Sequence, residues 1–87
     1  MPSDKKLEVV VVVSGQPQPV SINSHQKLEH LVHEALRETG NQGQPAAGWE
    51  LRTEDGQLLS LELRADEVGL VTGAVLYLNP LAGAGGC

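Results

Sequence analysis

Five consecutive valines, Val9 to Val13, constrain this chain more than any other feature. β-Branched side chains are stiff at χ1, crowd the preceding turn of a helix and pack well on a pleated surface. Leu7 to Ser14 is therefore read as a strand. An unbroken apolar run of this kind is the pattern of a strand covered on both faces, which places it at the centre of a sheet. The run is far too short to cross a bilayer, which takes about 20 apolar residues. With 87 residues there is room for one domain, and a domain of this size buries only about 60–65% of the surface its unfolded chain exposes. Phe is absent and Trp49 and Tyr77 are the only aromatics. The core is left to Val, Leu and Ala.

Beyond the valines, Gly15-Gln16-Pro17-Gln18 supplies turn chemistry, and Pro19 to Asn23 resumes as a strand with Val20 and Ile22 alternating against Ser21. Asn23 or Ser24 is suited to cap a helix, with Gln26 close to a capping-box position. Leu28, Leu31, Val32, Ala35 and Leu36 then fall on one helical face, with Glu29, His30, His33, Glu34, Arg37 and Glu38 on the other. The helix is expected to end near Thr39, with Gly40 as its left-handed cap and Asn41 to Gly48 as a loop. Trp49 to Thr53 and Gln57 to Leu59 flank Glu54-Asp55-Gly56, a second hairpin. Ser60 to Thr72 reads as a long connection with a short helical turn. Ala74 to Asn79 alternates as a last strand, and Pro80 stops the pairing. The order is hairpin, helix, hairpin, strand, an α+β domain with a mixed sheet of four or five strands packed on one helix. The first and last strands lie side by side and parallel at its centre.

The formal net charge of −5 argues against nucleic acid as a partner, because phosphate neutralisation needs clustered cations and only Lys5 and Lys6 are adjacent. An acidic surface favours basic protein partners instead. Cys87 is the only cysteine, which leaves no internal disulfide and no multi-cysteine metal site. That fits a reducing cytosol. Met1 to Glu8 carries charge where a secretory signal would soon need a long apolar run, so a cytoplasmic protein with no membrane association is expected. His25, His30 and His33 lie near one another, but no HExxH pattern or cysteine accompanies them, and a solvated helix face is the reading adopted. No paired carboxylates, nucleophile-base arrangement or phosphate loop is visible, so the chain is expected not to be an enzyme and to hold no cofactor. Cys87 is read as a processed or solvent-exposed thiol rather than a nucleophile or lipid anchor, since a prenylation box needs three residues after the cysteine.

Residues 1–80 form the expected domain and residues 81–87 a tail, Leu81-Ala82-Gly83-Ala84-Gly85-Gly86-Cys87, expected to be disordered. Pulled straight, the tail reaches roughly 20–25 Å at about 3.3 Å per residue, enough to enter a deep site on another protein. Glycine lets an extended backbone pass a narrow channel without a Cβ in the way.

The element order, the Asp55-Gly56 turn before Leu58-Leu59 and the Gly85-Gly86 pair together resemble ubiquitin-like proteins of the β-grasp fold, over Leu7 to Gly86. In that family an E1-like activating enzyme adenylates a C-terminal Gly-Gly carboxylate at the expense of ATP. The modifier passes as a thioester to an E2-like conjugating enzyme and is joined to an amine on a target protein. The resemblance makes Gly86 the activated residue, Gly85 its support, and Cys87 an extension removed by a processing peptidase. Only Lys5, Lys6 and Lys27 could receive a second copy, and with Lys27 in the first helical turn next to the core face, long chains are disfavoured and Lys5 or Lys6 is the expected acceptor where chains form. Leu81 to Ala84 lacks the arginine that many members carry near this point, which implies a dedicated partner set. Bacterial ubiquitin-like conjugation systems, some linked to antiviral defence, encode proteins similar in size and tail. Family members also bind partners through an apolar patch on the sheet face away from the helix. Val75 and Tyr77, which point oppositely to Leu76 and Leu78, are candidates for that face together with Trp49 and with Leu81, the one large side chain of the tail; packing in the core is the alternative for the two aromatics. Two alternatives share the pattern: a sulfur carrier using a Gly-Gly thiocarboxylate, and a non-conjugated β-grasp interaction module.

Overall fold

The computed structural model describes residues 6–40 and 45–80. The valine run forms β1, Lys6–Val13, followed by β2, Gln16–Asn23, and the helix α1, Leu28–Glu38. A 3-10 turn at Ala46–Gly48 leads into β3, Trp49–Thr53, then β4, Leu58–Leu59, and β5, Val75–Pro80. The five strands form one sheet in the order β2-β1-β5-β3-β4. β1 and β5 run parallel, with Val10 beside Val75 and Val12 beside Tyr77. The other neighbours are antiparallel. This is the α+β architecture that the alternation and turn chemistry imply, with the first and last strands side by side at the centre.

Three local expectations change. The first hairpin turns on Ser14-Gly15 alone, with Val13 paired to Gln16. Both turn residues have positive φ, 48° and 90°, the type I′ geometry whose twist matches that of the flanking strands. Only glycine takes the second of these without strain. Pro17 and Gln18, read as turn residues, belong to β2 instead, because an edge strand tolerates proline where its missing N–H faces outward.

The helix starts at Leu28, with Lys27 as its N-cap and no side-chain cap. Gln26 stays outside and its Oε1 accepts a hydrogen bond from the Asn23 N–H at 3.0 Å. The first helical donors are satisfied by the long connection: the N–H of Leu28 donates to the Leu63 carbonyl at 2.8 Å and that of Glu29 to the Leu61 carbonyl at 3.1 Å. A backbone strut does the work expected of Asn23 or Ser24. Residues 60–74 are themselves a succession of turns, and the expected helical turn reduces to one bond from the Val68 N–H to the Arg64 carbonyl. Ala65 is fully buried beneath them. The helix ends at Glu38, and Gly40 follows at φ 81° as expected.

The core lies between α1 and one face of the sheet. Val9, Val11 and Val13 of β1, Leu76 and Leu78 of β5 and Leu51 of β3 are buried against Leu28, Leu31, Val32, Ala35 and Leu36. Val10 and Val12 are only half-buried. β1 is central in that it is paired on both sides, but it is not covered on both faces, because the one helix among the described residues lies on the inner face.

Candidate partner-binding face and C-terminal strand

The strand register fixes which side chains share the outer face of the sheet. Residues directly opposite across a ladder point to the same side. Pro17 stands opposite Val12, Val12 beside Tyr77, Tyr77 opposite Arg52, and Arg52 opposite Leu58. One transverse row therefore crosses all five strands, and it is apolar except at Arg52. A second row runs Pro19, Val10, Val75. Leu58 is 56% exposed and Tyr77 38%, and both prolines are exposed. Arg52 does not add free charge, since its Nε lies 3.1 Å from a carboxylate oxygen of Glu50 on the same face and its Nη1 donates to the Gly56 carbonyl at 2.7 Å. The result is an apolar strip from Pro17 through Val12 to Tyr77, separated from Leu58 by an internally neutralised pair.

Val75 and Tyr77 lie on this face as their alternation with Leu76 and Leu78 implies. Trp49 does not. It is 9% exposed and belongs to the core cluster, so of its two readings the packed one holds. Leu81, Gly85, Gly86 and Cys87 lie outside the described residues, as does Lys5. Val10, Val12, Pro17, Pro19 and Leu58 were not singled out from the sequence. In a run of identical valines nothing marks which residues face which way, and only the register with β5 separates the two sets.

Pro80, expected to stop the pairing, instead closes β5 and pairs with Trp49, because a proline at the strand's last position leaves the rest of the ladder intact; it is also the last described residue. β5 is held on both sides, by β1 and β3, and the Ser14 N–H donates to the Leu78 carbonyl at 3.0 Å. The base of the C-terminal segment is thus anchored in the middle of the sheet. On the helix, His33 Nε2 is 3.9 Å from a Glu29 oxygen with both side chains about half exposed. Lys27 Nζ lies 3.7 Å from Glu62. No group of three or more His, Cys, Asp or Glu among the described residues is placed to hold a metal ion. No helix among them is long and apolar enough to cross a membrane.

A family model described as "Protein of Unknown function (DUF2604)" matches residues 2–86. The uncharacterized protein y4jI of Sinorhizobium fredii is 38% identical over 81 residues, which covers 93% of this chain and 62% of that protein. The chain therefore spans less than two thirds of that relative's length. Among solved structures, a de novo protein designed on the basis of ubiquitin matches with a TM-score of 0.77 at 19% identity, over 94% of this chain and 96% of that one. The EccD5 ubiquitin-like domain from Mycobacterium xenopi matches with a TM-score of 0.64 at 23% identity, over 88% of this chain and 96% of that one. At such identities the likeness carries the fold alone: a ubiquitin-like β-grasp.

Proposed function

The chain belongs to the DUF2604 family, and from that membership and its ubiquitin-like fold we propose that it is a protein modifier joined to targets through Gly86. The observation that carries the reading is the position of β5. A ubiquitin-like sheet holds this last strand between two neighbours as far as Leu78 and against β3 to Pro80, and the sequence runs directly from there into Leu81 and on to Gly85-Gly86. A partner can then grip the sheet and handle the glycines within the roughly 20–25 Å that the tail spans when extended. The outer row of Val12, Tyr77 and Leu58 offers the apolar grip.

The chemistry requires no catalytic side chain of the chain's own. A peptidase adds water across the Gly86–Cys87 peptide bond and frees the Gly86 carboxylate. That carboxylate attacks the α-phosphate of ATP on an activating enzyme, giving an acyl adenylate and pyrophosphate. A cysteine thiolate of the enzyme displaces AMP to form a thioester, and exchange onto a conjugating enzyme precedes attack by a target amine, which releases the thiol. Gly85 and Gly86 suit this route because neither presents a Cβ to the channel that must admit them. A relative in the bacterium Sinorhizobium fredii is in keeping with a bacterial setting; the proposal adds a cytoplasmic partner set, with antiviral defence as one role for it.

The test is the intact mass of the protein recovered from its native cells, alone and in higher-mass species, with peptide mapping of the C-terminus. A form ending at Gly86 together with isopeptide remnants on target lysines is expected. Oxygen replaced by sulfur at Gly86 would instead identify a sulfur carrier. A chain that keeps Cys87 and shows no adduct when its genomic neighbours are co-expressed would overturn the carboxylate chemistry and leave an interaction module.

A further inference from the structure

A groove of about 300 Å³ lies at the end of the sheet where β5 begins, between the β3–β4 turn and the segment 68–76. Its floor is aliphatic: Leu59 and Leu76 are buried, and Val68 and Ala74 are half-buried. Its rim is not uniform. Val71 stands 61% exposed on one side, and Glu54 and Asp55 stand exposed on the other as the only ionisable groups lining it among the described residues. No cation among the described residues pairs with either acid. Arg52 is engaged with Glu50 and Arg64 with Asp66 and Glu67.

Both walls are preformed. The Thr53 N–H donates to the Gln57 carbonyl at 2.9 Å and the Gly56 N–H to the Thr53 carbonyl at 3.0 Å, which fixes the acids on a closed turn. Opposite, the Leu70 N–H donates to Ala65 at 3.0 Å, Gly73 to Glu8 at 2.8 Å and Ala74 to Val71 at 3.1 Å. A site that needs no ordering on binding keeps more of its contact energy as affinity.

From the aliphatic floor and the unneutralised carboxylate rim we propose that this groove receives an arginine of a protein partner, with an aliphatic residue next to it in the partner's sequence. A guanidinium is planar and has five donors, so it can bridge two carboxylates that a point-charged ammonium would meet singly. Its methylene stem can lie along Leu59 and Val68 while the adjacent aliphatic side chain meets Val71. The volume is at the small end of ligand sites and open on one side, which suits a side chain presented by a protein better than a free metabolite needing enclosure. The net charge of −5 supports the approach of such a partner. This inference does not rest on the modifier reading, since the groove is at the opposite end of β5 from Pro80.

The experiment is an amide chemical-shift titration of the full chain with the capped dipeptide acetyl-Leu-Arg-amide, and with acetyl-Leu-citrulline-amide as its neutral isostere. Saturable shifts confined to residues 53–59 and 68–76, with a dissociation constant of about 1–10 mM, are expected for the arginine peptide. The double variant Glu54→Gln/Asp55→Asn should weaken binding about tenfold, as the loss of a charge-assisted contact does. Asn-Gly keeps the turn chemistry, so that variant remains folded. Val71→Gln, at an exposed position, should weaken binding without disturbing the fold. Absent or scattered shifts, equal binding of the citrulline peptide, or a double variant that binds as well as the wild type would each overturn the assignment.

Discussion

Replacing Pro17 and Pro19 with threonine should add two open donors to β2, the edge strand of the sheet. The Val10 N–H donates to Ala74 at 2.9 Å and the Ser14 N–H to Leu78 at 3.0 Å, so alternate residues of β1, Val10 and Val12 among them, bond toward β5. Val9, Val11 and Val13 bond toward β2, where they face Val20, Gln18 and Gln16. Pro17 and Pro19 therefore stand at the pairs that exchange no hydrogen bond, and their nitrogens face away from the sheet. An N–H at either position would be an open donor on an exposed strand, the template on which a second chain can pair. Two variant chains aligned antiparallel would gain up to about four backbone bonds; at about 0.5–1.5 kcal/mol net each this is about 2–6 kcal/mol. The association constant should rise by about 30-fold at the low end and 10⁴-fold at the high end. Sedimentation velocity across a concentration series from about 1 μM to 1 mM reads this range. Gln18→Thr is the control, since Gln18 bonds inward and its replacement leaves the edge donors unchanged. A double variant that stays folded and associates no more than the wild type or the control would refute the parity argument.

Two further outcomes follow from the core and the second turn. Leu51→Ala removes a fully buried side chain set between Leu59 and Leu78 and should cost about 2–5 kcal/mol in urea unfolding; a loss below about 1 kcal/mol would mean the site collapses around the cavity. The hydroxyl of Thr53 donates to an Asp55 oxygen and, as the largest cause, holds that carboxyl below its ordinary value. A depressed folded-state pKa adds stability above the unfolded value, and this is lost as pH falls through the folded one. Carboxyl-detected NMR should therefore find Asp55 titrating below the usual aspartate range, and Thr53→Val should move it back up. An Asp55 midpoint unchanged by that substitution would assign the shift to another cause.

Much of the fold was legible because each element carried its own period. The helical face of Leu28, Leu31, Val32, Ala35 and Leu36 is the buried set found in α1, and alternation in β5 placed Val75 and Tyr77 outward. The misreadings have a common cause, which is that local chemistry was answered by distant backbone. Pro17 looks like a turn residue until its strand is known to be an edge. Asn23 and Ser24 look like caps until carbonyls of Leu61 and Leu63 arrive to take the helical donors. Trp49 was legible from β3 itself, since it shares the parity of Leu51 against Glu50 and Arg52, and that alternation matches the burial found. The outer row was the least legible feature. It is assembled from five strands, one residue from each, and no stretch of sequence contains it.

The same assembly gives the contacts proposed above separate surfaces on one small domain. β5 runs about 16 Å from Val75 to Pro80 at about 3.3 Å per residue, with the acidic groove at its start and Pro80 at its end. A partner that engages the residues after Pro80 approaches the end of the sheet where Trp49 and the Ser14-Gly15 turn lie, and leaves Glu54 and Asp55 uncovered. The apolar row through Val12, Tyr77 and Leu58 lies on the broad face beside both ends. These surfaces are held apart by the parallel β1–β5 pair, whose inner side chains are also the centre of the core. A core substitution at Val11 or Leu78 should therefore weaken all of the contacts together, whereas Glu54→Gln/Asp55→Asn should remove one and spare the others.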